Sequence, residues 1–157
     1  MIKIMKKFLV IRHTGLGVIL LTFLLNSAIS AQTQIQLSTL LKSIEDKKLG
    51  TIVEVELDDN SWEIKICNAI CEKVYLDTAT GKELFRKKIK PQKLPPANSI
   101  PLSTIVGNVE RKGQFETVTE IELERNNWQV EYQLILRQGP RKVKINIDAL
   151  TGEELDR

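Results

Sequence analysis

Apolar and polar residues alternate in several short segments of the chain. Residues 53–57 read Val-Glu-Val-Glu-Leu, and residues 62–66 and 73–77 alternate in the same way. A period of two is typical of strands that bury one face. Turn-forming residues at 58–60 separate the first two segments. The pattern predicts an antiparallel meander with one apolar face, which would include Val53, and one polar face.

A helical spacing of apolar residues comes before these strands. Leu40, Leu41 and Ile44 would lie on one face of a helix that has Ser38 as its N-cap. Gly50 is a typical residue to end such a segment. The sequence therefore predicts an α+β fold in which one helix precedes an antiparallel meander of three strands, or of four.

The whole pattern occurs twice in the chain. Residues 51–57 correspond to residues 117–123 at an offset of 66. Residues 73–77 correspond to residues 144–148 at an offset of 71. Because the matching blocks keep their order while the offset changes, we infer two tandem units whose loops differ in length.

The second copy contains the same predicted elements. Ser103 would be the N-cap of its helix, Val106 and Val109 would lie on the apolar face, and Gly113 would end it. Five extra residues at 137–141 are predicted to lengthen the loop between its second and third strands.

A proline-rich segment separates the two copies. Four of the five prolines lie within residues 89–101, where the missing amide donors prevent a regular ladder. We therefore assign residues 35–88 to a first unit, 89–101 to a linker and 102–157 to a second unit. Each unit is near the size at which a single core is marginal, so we expect the units to pack on each other.

The chain begins with the features of a secretory signal peptide. Basic residues come first, an apolar run at 16–25 follows, and small residues lead up to Ala31. We predict that residues 1–31 are removed, with Ser30 as an alternative last residue. The other interpretation is an uncleaved anchor, although the run is shorter than a bilayer requires. We expect a periplasmic or secreted protein with no stable membrane span after removal of the signal.

Charge and composition narrow the classes of function. The chain has 23 basic and 20 acidic residues, and the segment 1–31 contains four of the basic residues and none of the acidic ones. A nearly neutral mature chain argues against nucleic-acid binding. The single histidine, His13, also lies in the signal, which excludes histidine-based triads and zinc sites from the mature chain. We predict no enzyme activity, no cofactor and no metal.

The two cysteines are predicted to form a disulfide across a hairpin. If Cys67 faces Cys71 across a three-residue loop, Trp62 and Ile64 lie on the same face as Val74, which supports this register. An exported protein meets an oxidising compartment, where such a bond persists. The alternative, a redox or metal pair, needs further ligands or a Cys-x-x-Cys spacing. A loop this short should mainly fix the hairpin.

The polar strand faces are rich in carboxylates. The candidate binding face consists of Glu54, Glu56, Glu63, Glu120, Glu122, Glu124 and Glu131. It could attract a basic partner or hold cations. The alternative is an ordinary solvated face, on which lysines such as Lys65, Lys73 and Lys144 offset the charge.

Two further features have both a functional and a structural interpretation. Trp62 and Trp128 occupy equivalent inward positions and are predicted to be core anchors rather than ligand-stacking residues. The basic stretch at 85–90 could contact anionic lipid or a cell-wall polymer, or it could be a solvated strand end.

Two motifs in each copy resemble the PepSY family, in which a Glu-Val-Glu-Leu strand is followed by a later strand that ends in Asp-Ala-x-Thr-Gly. Residues 54–57 and 77–81 match these motifs in the first copy, and residues 120–123 and 148–152 match them in the second. The tandem layout is also similar to that of the β-lactamase inhibitory protein. The aspartates of the motif are predicted to form tight turns rather than to bind ligands.

The resemblance implies a non-catalytic module that contacts a protein partner, either a peptidase or another envelope protein. PepSY units occur in the propeptides of secreted metallopeptidases, and here any restraint of a peptidase would act in trans, because no peptidase domain follows. The alternative is an envelope sensor that binds a small molecule or a cation on the acidic sheet faces. An enzyme of unknown type is the third hypothesis.

Overall fold

The computed structural model describes residues 35–112, 117–136 and 138–155. The predicted signal peptide and Gly113 lie outside these residues. The helices and strands, in chain order, are α1 (Leu37–Asp46), β1 (Thr51–Asp58), β2 (Ser61–Cys67), β3 (Cys71–Asp77), β4 (Glu83–Ile89), α2 (Leu102–Arg111), β5 (Thr117–Glu124), β6 (Asn127–Leu136), β7 (Gly139–Asp148) and β8 (Glu154–Leu155).

The eight described strands form one antiparallel sheet. Its order is β4-β3-β2-β1-β5-β6-β7-β8, so two four-stranded meanders join where β1 pairs with β5 and Val55 faces Ile121. The predicted α+β class with antiparallel pairing is confirmed. The layout of two units with one helix and three strands each is not matched, because the chain turns back after each third strand and the two meanders share one sheet. The predicted unit boundaries remain a prediction.

The two helices cover one face of the sheet and share a single core with it. Leu41 of α1, Ile105 of α2 and Val55 of β1 belong to one buried hydrophobic cluster that includes both copies. The side chains of Trp62 and Trp128 are 2% and 1% exposed, as expected of core anchors. Burial of large aromatic side chains is a major source of stability in a domain of this size.

The prediction that Val53 lies on the core face is wrong, because β1 contains a β-bulge at this residue. The pairing of β1 with β2 shifts between Ile52 and Glu54, so that the bulge adds one residue to β1. Ile52 therefore packs in the main core, whereas Val53 packs with Cys67 and Cys71 on the opposite face. A strict period of two cannot reveal such an insertion, and β5 contains a shift at the equivalent point.

Both helices begin two residues earlier than predicted. The N-cap residues are Gln36 for α1 and Pro101 for α2, and neither makes a side-chain capping bond. Ser38 and Ser103 instead lie in the first helical turn. Their hydroxyls bond to the other helix, a contact that local sequence cannot indicate.

Each helix provides a carboxylate to the start of the other. Glu110 accepts hydrogen bonds from the hydroxyl and, at 3.4 Å, the amide of Ser38. Glu45 accepts the equivalent bonds from Ser103, with an amide distance of 3.2 Å. The first amides of a helix have no partner within it and carry partial positive charge. The two carboxylates therefore stabilise both helix starts and link the copies.

The extra length of the second copy lies in the paired strands of the β6–β7 hairpin. β6 and β7 have ten residues each, whereas β2 and β3 have seven. Leu136 faces Gly139 at the end of the longer ladder. The prediction of a longer loop is wrong, because the Leu-Ile-Leu sequence at 134–136 suits a strand and continues the pairing.

The aspartate motifs form the turns that lead into β4 and β8. Asp77 accepts a hydrogen bond from the amide of Thr80 at 2.7 Å, and Asp148 accepts one from the amide of Thr151 at 2.8 Å. The glycine that ends each motif has a positive φ, 65° and 73°. The pKa values of both aspartates are lowered, chiefly by the Thr80 hydroxyl in the first turn and by the Thr151 amide in the second.

Candidate functional site

The sheet face opposite the helices, which we call the outer face, carries two rows of side chains that cross the strands. The first row, from β4 to β7, is Phe85, Tyr75, Glu63, Glu56, Glu120, Glu131 and Lys144. The second row is Lys87, Lys73, Lys65, Glu54, Glu122, Gln129 and Asn146. Four carboxylates therefore lie side by side in one row, and three lysines precede two carboxylates in the other.

The structure brings six of the seven predicted glutamates into one patch. The pairing of β1 with β5 joins the acidic faces of the two copies, which the sequence predicts only as separate faces. Glu124 lies outside the two rows, because it faces Asn127 at the end of β5 and is exposed. The amide group of Gln129 donates a hydrogen bond to it at 3.3 Å.

Lysines offset part of the charge in the first copy. The ammonium group of Lys65 lies 2.5 Å from a carboxylate oxygen of Glu54. Lys73 forms an ion pair with Glu63, and this hydrogen bond is the largest cause that raises the pKa of Lys73. Both pairs are largely shielded from solvent, with side-chain exposures between 12% and 23%, so they are screened less than pairs at the open surface.

The second copy holds the most buried charge of the outer face. Glu131 is 7% exposed and accepts a hydrogen bond from the hydroxyl of Thr119 at 3.2 Å. The ammonium group of Lys142 lies 2.6 Å from it and is the main cause that lowers the pKa of Glu131. Lys144 lies 3.7 Å from both Glu131 and Glu120.

Like charges meet at the centre of the outer face. Glu54 faces Glu122, and Glu56 faces Glu120, across the junction of β1 and β5. Burial is the largest cause that raises the pKa of Glu122, and the carboxylates of Glu120 and Glu54 raise it further. Opposed like charges on neighbouring strands cost about 0.2–1 kcal/mol. A cationic group from outside would relieve this repulsion.

The predicted disulfide joins Cys67 and Cys71 at the end of the outer face. Their Cα atoms lie 4.1 Å apart, and the two residues face each other in the predicted register of β2 and β3. Val53 and Ile89 pack against the bond and form a small apolar cluster with it. The disulfide therefore lies in an apolar cluster, an environment that suits a structural bond.

A groove of about 970 Å³ lies beside the disulfide. Its walls are the end of α1, the start of β1 and the proline-rich segment around 94–101. Ser99 and Trp128 line it, and each has a buried polar atom without a hydrogen-bond partner. The indole nitrogen of Trp62 is unpartnered in the same way, so the unpartnered indole is a feature of the duplicated core and does not by itself indicate a ligand.

The edge strand β4 is the most exposed strand of the sheet. Six of its seven residues are exposed, including Leu84 at 60% and Phe85 at 51%. The ring of Phe85 stacks on Tyr75 with centroids 4.7 Å apart, and Lys87 lies 5.3 Å from the Tyr75 centroid. The site residues predicted from the sequence do not include this strand. The basic stretch at 85–90 is the sequence feature that indicates it.

The described residues contain neither a cluster of metal ligands nor a helix that could span a membrane. Within 35–112, 117–136 and 138–155, no group of three or more His, Cys, Asp or Glu residues is placed to hold a metal ion. No helix in these parts of the chain is long and apolar enough to cross a membrane.

Comparisons with known proteins assign no family. No family model matches the chain, and no curated protein is significantly similar to it. The chain resembles the crystal structure of a "putative lipoprotein" from Clostridium difficile 630, with 16% identity and a TM-score of 0.44 over 75% of this chain and 88% of that chain. A similarity at this level carries no functional argument, and the PepSY resemblance stays a hypothesis.

Proposed function

We propose that this protein is an exported, non-catalytic binding module of two PepSY-like units that contacts a protein partner in the cell envelope or outside the cell. The observation that carries the proposal is the outer face. This face extends across strands of both copies, and no described helix packs on it. Its centre is acidic, with Lys65, Lys73 and Lys87 on one side and Lys142 and Lys144 on the other.

The charge pattern supports recognition of a protein rather than of a small ion. Complementary patches fix the orientation of a docking protein and exclude wrong partners, because juxtaposed like charges are costly. The carboxylates that face each other at the junction would be relieved by lysine or arginine side chains of a partner. The two copies share one core and reciprocal helix contacts. A surface that is ordered before binding pays less for ordering when it binds.

A secreted peptidase is the first candidate partner. This part of the proposal rests on the resemblance to units found in peptidase propeptides. In that role the module would occlude part of the enzyme surface.

The test is capture followed by rebinding of the purified partner. Charge reversal by Glu56→Lys together with Glu120→Lys should abolish capture from envelope extract, and should weaken rebinding of the purified partner at least tenfold. Glu153→Lys is the matched control, because Glu153 is exposed and lies outside the outer-face rows. Inhibition of the partner, if it is a peptidase, should follow the same order of variants.

Two results would contradict the proposal. One is that the unmodified protein captures no partner that rebinds after purification. The other is that the reversed variant and the Glu153→Lys control bind equally well, which would remove the outer face from the interaction.

The second candidate function is a sensor that binds a cation on the outer face. The facing pairs Glu54–Glu122 and Glu56–Glu120 favour it, because a cation would reduce their repulsion. Thermal denaturation with and without calcium, magnesium or zinc separates the two candidates. A rise in Tm that is lost in Glu54→Gln/Glu122→Gln favours the sensor, and the module proposal expects no such rise.

A further inference from the structure

The edge strand β4 offers a row of backbone groups to a further strand. In the described sheet, β4 pairs only with β3, so the groups on its other side have no strand to bond. Unpaired amides and carbonyls along an edge are a template for an added strand. The opposite edge differs, since β8 contains only Glu154 and Leu155.

The side chains of β4 and its ends form a strongly basic edge. Within residues 82–90 the basic residues are Lys82, Arg86, Lys87, Lys88 and Lys90, and the single acidic residue is Glu83. Arg86 forms ion pairs with Glu83 and Glu72. Among the described ion pairs none includes Lys82, Lys87, Lys88 or Lys90, and of these four Lys87 lies over the Tyr75 ring. Lys88 and Lys90, at the end of the strand, are therefore among the cations available to an anionic partner.

The two faces of β4 would present different chemistry to an added strand. Phe85, Lys87 and Ile89 share the outer face, because they pair with Tyr75, Lys73 and Cys71. Arg86 and Lys88 point to the helix side, opposite Val74 and Glu72. An added strand alternates in the same way. It would meet an exposed aromatic ring on one side and cations on both.

We propose that β4 is the docking site for an extended acidic peptide segment of the protein partner, which adds to the sheet as a ninth strand. This inference rests on the proposed binding function and specifies how the partner is held. Main-chain hydrogen bonds would supply affinity, and carboxylates at alternate positions would pair with the lysines.

A second copy of the chain fits this edge less well. Antiparallel pairing of two β4 strands centred anywhere in 86–88 places basic residues opposite basic residues, which is destabilising. An anionic lipid or polymer would satisfy the charges but not the backbone donors and acceptors. A polypeptide satisfies both.

The test uses the exported protein and a fluorescent peptide of alternating Glu and Val residues. Fluorescence anisotropy should show saturable binding, and Lys88→Glu/Lys90→Glu should weaken it at least tenfold. The matched control is Lys47→Glu, an exposed lysine just after α1, which should change the affinity less than twofold. A peptide with alternate backbone amides methylated should bind at least tenfold more weakly, while hydrogen exchange of β4 amides should slow only with the unmethylated peptide.

Several outcomes would overturn the inference. Equal binding of the methylated peptide or of a scrambled peptide would show attraction by charge alone. Tighter, lysine-dependent binding of vesicles with anionic lipid or of an anionic polymer would assign the edge to a different partner. Failure of every peptide to bind would mean that the lysines only protect the edge against aggregation.

The β4 docking proposal and the proposed binding function can be contradicted independently of each other. If the purified partner binds the Lys88→Glu/Lys90→Glu variant as well as the unmodified protein, β4 is not the docking site, but the proposed binding function is retained. If no partner is found but the acidic peptide binds as described, the proposed function is contradicted. The result would still show that β4 binds extended acidic peptides.

Discussion

The two copies agree in their interiors and differ at their edges. Trp62 and Trp128 are buried alike, and both copies have a pairing shift in the first strand, an aspartate turn and a helix start held by the other helix. The first copy ends in the seven-residue edge strand β4, with a disulfide nearby. The second has a longer central hairpin and a described final strand of two residues.

The outer face shows the same contrast in its charges. Lys65 and Glu131 occupy equivalent positions, 66 residues apart, and carry opposite charges. Each is nevertheless paired, Lys65 with Glu54 and Glu131 with Lys142. A shared core restrains the buried positions of both copies, whereas a charged side chain on the outer face needs only a group of opposite charge nearby. Under the proposed binding function, we expect specificity for a partner in the regions where the copies differ.

The largest expected effect tests whether the interiors are equivalent. Trp62→Ala and Trp128→Ala should each lower the free energy of unfolding by about 3–5 kcal/mol, because each leaves a large cavity in the same core. Urea denaturation followed by circular dichroism measures both, and each variant should unfold in a single transition. If one copy unfolded separately in either variant, the two copies would not share a cooperative core.

Much of this interior could be predicted from the sequence. Alternation on both strands and the facing cysteines predict the pairing of β2 with β3, and Trp62 opposite Leu76 and Ile64 opposite Val74 are confirmed. The sequence predicts a fourth strand only as an alternative, because β4 is exposed on both faces and shows no apolar alternation. The predicted face of Val53 is wrong, because a bulge depends on the neighbouring strand.

The candidate site could be predicted only in part. The glutamates are evident from their outward positions, but their union into one patch depends on the pairing of β1 with β5. That pairing brings together residues more than sixty positions apart. The bonds of Glu45 and Glu110 to the opposite helix have the same origin. No local pattern encodes such contacts, since they arise from the packing of one copy on the other.

The second effect concerns the hairpins. Replacing both cysteines, Cys67→Ser/Cys71→Ser, should lower the free energy of unfolding by at most about 2 kcal/mol, because the disulfide closes a very short loop. Hydrogen exchange should quicken at the tip of the β2–β3 hairpin and stay unchanged in the β6–β7 hairpin, which has no such bond. A loss as large as that of the tryptophan variants would show that the bond supports the whole fold.

The third effect tests the symmetry of the helix pair. Glu45→Ala and Glu110→Ala should each cost about 1 kcal/mol, because each leaves a helix start without its carboxylate. Asp46→Ala is the control, since Asp46 makes only an exposed pair with Lys42 and should cost less than about 0.5 kcal/mol. Thermal or urea denaturation measures all three. A large cost for one glutamate alone would mean that the helix contacts are not equivalent.

The smallest effect separates two carboxylates of the outer face by the sign of their pH dependence. Glu122 has a raised pKa in the folded protein, so its ionised form opposes folding at neutral pH. Glu122→Gln should therefore raise the free energy of unfolding by about 0.5 kcal/mol at pH 7. The gain should vanish as the pH falls below the unfolded-state pKa, near 4.5.

Glu131 should behave in the opposite way, because its pKa is lowered by Lys142. Its stabilising contribution is present above the unfolded-state pKa and is lost as the pH falls through the lower, folded-state pKa. Glu131→Gln should thus destabilise the protein at pH 7, and the difference should shrink toward pH 3. Urea denaturation at pH 7, 5 and 3 measures both variants. If both shift stability in the same direction at pH 7, the outer face does not contain a repulsive centre beside a paired flank.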